Sequence, residues 1–310
     1  MTLVDFGDRD EPTHAIRTRS RSGVEDWDAE GGVAVENRVV DTVLEYGNAV
    51  HLCLDEALLA DTAPGRLSTA RERFDRPDAC RRRLRNESPE YRARLPDDID
   101  AVQSCLALEP GDTGGWLARL HGIAALAVVT PDSWLYRSVP HHAHIRELNV
   151  DPVDAVLEEV TATLESARWS AVVPTGPLVS WTDDTSRYEL RWHALRRRRR
   201  GWDRDQSQGQ NRDRDSNPWA VFDLERLRRV RPIPERGELR LRWHSGVRGT
   251  DSPIRRAVAG VIDRLAADPP TRVVTSETAT VEEIASTLRE LRAQFEYDYT
   301  FEGQNRAPEP

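Results

Sequence analysis

The sequence predicts an α+β fold, with a mainly helical N-terminal region followed by a small antiparallel sheet and two C-terminal helices. Apolar residues recur at three- and four-residue steps through the first half, short alternating runs bounded by turn residues follow Ser170, and capping signals open two helices near the end. A chain of 310 residues can bury two separate cores. Composition places the boundaries: a polar tail over 1–32, a mainly helical domain over 33–170, a sheet with C-terminal helices over 171–300 carrying a mobile loop at 201–217, and a tail over 301–310.

Residues 1–32 are charged and aperiodic, which reads as a disordered tail. Val39, Val43, Tyr46, Val50, Cys53, Ala57 and Leu58 then share one helical face, and that helix stops at Asp61 to Gly65. Residues 67–85 read as a solvated helix pair broken at Pro77. Asp97 stands as an N-cap ahead of Ile99, Val102, Cys105 and Leu106, a third helix closing at Pro110-Gly111. Trp116 to Val129 enters the core, and periodicity leaves open whether as helix or as strand. Asp151-Pro152 opens a helix to Ala167 with Val153, Val156, Leu157, Val160 and Leu164 on one face.

Beyond Ser170, Leu178 to Trp181 and Tyr188 to Leu195 alternate on either side of a polar turn, the pattern of a hairpin, and five arginines end it. Residues 201–217 are too polar to pack. Trp219 to Phe222 and Glu238 to His244 resume the strand pattern, with Pro232 and Pro234 in the connection between them. Ser252-Pro253 opens a helix to Ala267, and Thr280 with Glu283 forms a capping box for the last one, to about Phe295.

The chain has no lysine, so all 44 basic residues are arginine, set against 53 carboxylates for a net charge of -9. Walker A loops, protein-kinase ATP clamps and pyridoxal-phosphate Schiff bases each need a lysine amine, and all are excluded. Excess carboxylate with arginine as the sole cation suits a salt-adapted microbe whose proteins stay soluble through negative surface charge. An unselected GC-rich reading frame would share the arginine, but its caps and periodicities would not be this orderly. Cys53, Cys80 and Cys105 have no C-x-x-C spacing and read as small buried hydrophobes. No apolar run is long enough to span a bilayer, and the acidic N-terminus lacks the features of a secretory signal, so a cytoplasmic location is expected.

Two clusters carry possible chemistry. In Pro140-His-His-Ala-His144, His142 and His144 lie two apart; on a strand both rings point one way, where a divalent metal can be shared with Asp132, Glu147 or Asp151. The arrangement resembles the His-hydrophobe-His metal motif of rolling-circle replication initiators and relaxases, and the resemblance implies a metal-dependent hydrolase or nuclease. It covers only these few residues; Ala143 stands where that family has a bulky apolar residue, and the family's lysine is missing. The ordinary reading is a histidine-rich turn.

The second cluster is the near repeat Glu189-Leu-Arg-Trp-His193 and Glu238-Leu-Arg-Leu-Arg-Trp-His244. Strand alternation turns the tryptophans inward and sends Arg191, His193, Arg242 and His244 outward. If the two strands are neighbours, these residues join Arg196, Arg197, Arg198, Arg199 and Arg200 in one cationic patch for a protein or polyanion partner. Gly111 to Gly115 reads as a turn, and His51 with Asp55, four apart on the first helix, as a surface ion pair. No G-x-S-x-G, H-E-x-x-H or G-x-G-x-x-G occurs. The expected function is therefore a non-catalytic binding or regulatory protein acting through an arginine-rich sheet, with no cofactor; the alternative is the metal enzyme centred on His142 and His144.

Overall fold

The computed structural model describes residues 4, 6, 11–18, 38–78, 81–106, 122–139, 145–151, 153–165, 167, 170–199, 219–244, 268–275 and 278–302. Over these residues the chain forms fifteen strands in three sheets, and the largest, of seven strands, lies in the half that the periodicity assigns to helix. The expected mainly helical N-terminal region is thus overturned. The chain divides into two compact units, Met1–Thr175 and Gly176–Pro310.

In the first unit the elements run β1 (His14–Thr18), α1 (38–45), β2 (Ala49–Leu54), α2 (Glu56–Thr62), α3 (Pro64–Arg73), β3 (Glu90–Arg94), α4 (Ile99–Leu106), β4 (Ile123–Val129), β5 (Trp134–Ser138), β6 (Arg146–Leu148), α5 (Ala155–Glu165) and β7 (Ser170–Pro174). The sheet order is β3-β2-β4-β5-β6-β1-β7, every pairing antiparallel. All the helices pack on one face, where Val43, Leu59, Leu67, Leu106 and Val160 meet Leu52, Leu126 and Val128. The opposite face has a smaller cluster of Ala49, Cys53, Ala125, Ala127 and Trp134, crossed by Val4 and Leu84.

This two-sided burial explains the correction. Residues 39–58, read as one helix, are α1, a turn at 46–48, then β2, whose six residues are all buried. Val50, Leu52 and Leu54 face the helices while Ala49, His51 and Cys53 face the other way, so a single polar residue, itself buried, is all that marks the alternate positions, and the apolar spacing mimics a helix. Gly47 makes the turn where an added Cβ would overlap Val128 Cγ1, and the Asn48 amide donates to Val129 O at 2.7 Å. The open choice over Trp116 to Val129 resolves as β4 for 123–129. β1 lies inside the stretch read as a tail, between β6 and β7, with Ile16 buried. The helix pair expected over 67–85 is α3 followed by non-helical chain through Pro77.

The second unit contains β8 (Val179–Thr182), β9 (Ser186–Leu190), β10 (Ala194–Arg199), β11 (Ala220–Asp223), β12 (Leu227–Ile233), β13 (Glu238–Trp243), β14 (Arg272–Val274), α6 (Thr278–Phe295) and β15 (Thr300–Phe301). They form two four-stranded sheets, β11-β10-β9-β8 and β14-β13-β12-β15. The arginine run does not end a strand but is one, β10. Pro232 lies within β12 rather than in a connection, opposite Leu239. Of the two expected C-terminal helices, α6 is present and the one over 252–267 falls outside the described residues. α6 buries Val281, Ile284, Leu288 and Phe295. Phe295 meets Trp192 at 5.3 Å between ring centroids and begins an aromatic row through Tyr297, Tyr299 and Phe301. No described helix is long and apolar enough to cross a membrane.

Candidate functional site

On the outer face of β9 and β10, Glu189 is only 6% exposed and stands opposite Arg196 in the register. Three guanidinium groups converge on it: Arg191 Nη2 at 3.3 Å and Arg196 Nη1 at 3.5 Å from Oε2, and Arg187 Nη2 at 3.6 Å from Oε1. Arg198, paired with Arg187 in the register, shares the face. Trp219 lies against it, its ring centroid 4.9 Å from the Arg196 guanidinium carbon, which orders the arginine by cation-π contact. Val221, opposite Arg196 on β11, is 56% exposed.

The other predicted residues fall elsewhere. Arg197 lies on the inner face, over the Phe222 ring at 5.3 Å, and donates to Asp268 O. Arg199 is at the end of β10, and Arg200 lies outside the described residues. Trp192 and His193 are not in a strand: they form the tight loop from β9 to β10, closed by Arg191 N donating to Ala194 O at 2.9 Å. Arg242 is on β13 of the other sheet and His244 lies just past its end, so the single patch joining both repeats does not form. The two tryptophans of the repeat, Trp192 and Trp243, are half-buried rather than core.

What the repeats share is their first residue. Glu238, 2% exposed, accepts from Arg240 Nε at 2.6 Å and pairs with Arg272 at 2.9 Å, and these two arginines hold its carboxyl below the usual range. Both Glu-Leu-Arg segments therefore place a glutamate at the centre of an arginine group. The sequence displayed the repeat, but only pairing across strands shows which residue is central.

Of the proposed metal ligands, His142 and His144 lie outside the described residues. Asp132 is exposed in the β4–β5 turn, and Glu147 on β6 accepts from Arg137 Nε at 2.6 Å. Among the described residues no group of three or more His, Cys, Asp or Glu is arranged to hold a metal ion.

Sequence reading missed one site. His51, on β2 rather than on a helix, has no pairing with Asp55, which instead caps α2 by accepting from Leu58 N at 3.0 Å. The His51 ring donates from Nδ1 to Glu90 Oε1 at 2.7 Å, and Glu90 is completely buried. Glu90 also accepts from the amides of Arg83 at 3.1 Å and Leu84 at 2.9 Å. Burial alone would raise its pKa; those hydrogen bonds outweigh burial and hold the carboxyl below its ordinary value. The polar–apolar alternation of Glu90-Tyr-Arg-Ala-Arg94 is the signal that would have marked this strand. The chain matches no protein-family model, no curated protein and no solved structure.

Proposed function

We propose that this protein is a non-catalytic binding protein that takes an acidic polypeptide segment on the outer face of β9, β10 and β11. The observation that carries the reading is the convergence of Arg187, Arg191 and Arg196 on the one buried carboxylate of Glu189, with Arg198 on the same sheet face. Trp219 and the exposed Val221 add apolar contact beside the guanidinium groups. A peptide bearing both acidic and apolar side chains fits that mixture. Nucleic acid fits it less well, because a net charge of -9 opposes long-range attraction of a phosphate chain. The same reading places the protein in the cytoplasm of a salt-adapted microbe, supported by a cation set made only of arginine. In salt, short-range bidentate and apolar contacts outlast long-range steering.

Titration of the full chain with a synthetic peptide alternating glutamate and leucine, and with a single-stranded oligonucleotide, tests this. The peptide should bind and the R187E/R198E double variant should lose about tenfold or more in affinity. Peptide affinity unchanged in that variant, or preferential binding of the oligonucleotide, overturns the proposal.

A further inference from the structure

The sheet face opposite the described helices holds a cavity of about 930 Å³ in the first unit, with His51 in its wall. That volume suits a small organic ligand. Five arginines line it, Arg76, Arg81, Arg82, Arg83 and Arg92, against two aspartates, Asp75 and Asp78. Arg76 already pairs with Glu56 at 3.6 Å, and Asp75 with Arg94 at 3.3 Å. Arg81, Arg82 and Arg92 make no ion pair with a carboxylate among the described residues, and the Nε of Arg82 is buried without a hydrogen-bond partner. A buried N–H on a cation costs free energy unless an acceptor reaches it, and among the described residues none does.

The scaffold holds these groups together. Arg92 is the direct register partner of His51, so their Cβ atoms lie about 5 Å apart on one face. The Glu90 carboxylate binds the backbone amides of Arg83 and Leu84, which ties residues 81–84 to the sheet beside His51. Because Nδ1 of His51 is committed to Glu90, Nε2 is the nitrogen left for a ligand, and it makes no hydrogen bond among the described residues. Phe6, whose ring centre lies 4.8 Å from the Arg83 guanidinium carbon, and Val129 supply apolar wall. Cys53, two residues along β2, is no nucleophile: burial, with Glu90 adding to it against Arg82, pushes its thiol up to about 12.

We propose that this cavity binds a phosphoryl-bearing small molecule, its anionic group held by Arg81, Arg82 and Arg92 with His51 oriented by Glu90, and its organic body against Phe6 and Val129. The site lies in a different unit from the Glu189 cluster and does not depend on it. Calorimetric titration of the full chain with phenyl phosphate, and with phenol as the uncharged control, is the test. Saturable binding of phenyl phosphate but not phenol is expected, weakened about tenfold or more by Arg92→Gln and by Arg82→Gln, each a single charge-assisted contact. His51→Gln should weaken it as well, while Arg228→Gln, on β12, should change nothing. Arg92 is exposed, so that variant keeps the fold even if the others do not. Absence of saturation below about 10 mM, or binding that survives the Arg82→Gln/Arg92→Gln pair, overturns the assignment.

Discussion

Arg137 Nε donates to Glu147 Oε2 at 2.6 Å, with the Arg137 guanidinium carbon 4.3 Å from the centre of the Trp134 ring. The two are register partners on β5 and β6, in one row across the sheet with Arg92, His51 and Ala127. Ala127 is small enough for the long Arg137 side chain to lie over the sheet. Arg137 is 6% exposed, and its Nη1 has no hydrogen-bond partner among the described residues. The cation therefore depends on the carboxylate, since Arg137 alone would be a nearly buried charge, whereas Glu147 is partly exposed and also faces Arg17.

Glu147→Leu should destabilise the protein by about 3 kcal/mol, because it leaves that cation unpaired. The double change Arg137→Met/Glu147→Leu should recover most of the loss. Urea denaturation of the three variants measures the coupling; simple additivity would show that the pair is not a unit.

The thiols of Cys53 and Cys105 are pushed by burial up to about 12 and about 11. At pH 8 about one in a thousand or fewer is thiolate, and neither is accessible. Iodoacetamide on the native protein should leave both unmodified, and urea should expose both. Mass mapping that finds native Cys53 alkylated at the rate of a free thiol would contradict its placement.

Glu90 has a folded pKa below its unfolded value, so it contributes stability that is complete above about pH 5 and is lost as pH falls through the folded value. The urea midpoint should drop on acidification from about pH 5 toward about pH 3, and Glu90→Gln should flatten the drop while lowering the midpoint at neutral pH. Equal slopes in the two proteins would assign the acid sensitivity to other carboxylates.

Gly237 closes the β12–β13 turn at φ 59°, and an added Cβ would stand 2.6 Å from Thr275 O. Gly237→Ala should cost about 1–3 kcal/mol through backbone strain and that collision. A thermal midpoint within a degree of wild type would mean that the turn can move away from Thr275.

Local signals were read correctly where an element is defined by its own residues. α5 and α6 show one apolar stripe each, and β8 and β9 flank a polar turn in which Asp183 accepts from Ser186 N at 2.7 Å. β1, β2, β4 and β5 were missed or left open because each is interior to the sheet, with neighbours on both edges and side chains buried on both faces, so alternation is lost. The candidate sites divide the same way. The arginine run and the paired Glu-Leu-Arg segments stand in the sequence, whereas His51 meets Glu90 only because β2 and β3 are neighbours, across 39 positions of chain.

The sequence alone determined the chemistry available to this protein: arginine as its only lasting side-chain cation, no lysine-dependent catalysis, and thiols too scattered for a zinc knuckle. Tertiary structure decided which of those groups meet. Strand pairing joins residues by register, not by distance along the chain, so it alone brought Arg196 to a Glu189 already flanked by Arg187 and Arg191, gave Arg137 its carboxylate, and set His51 beside Arg92 in a cavity wall.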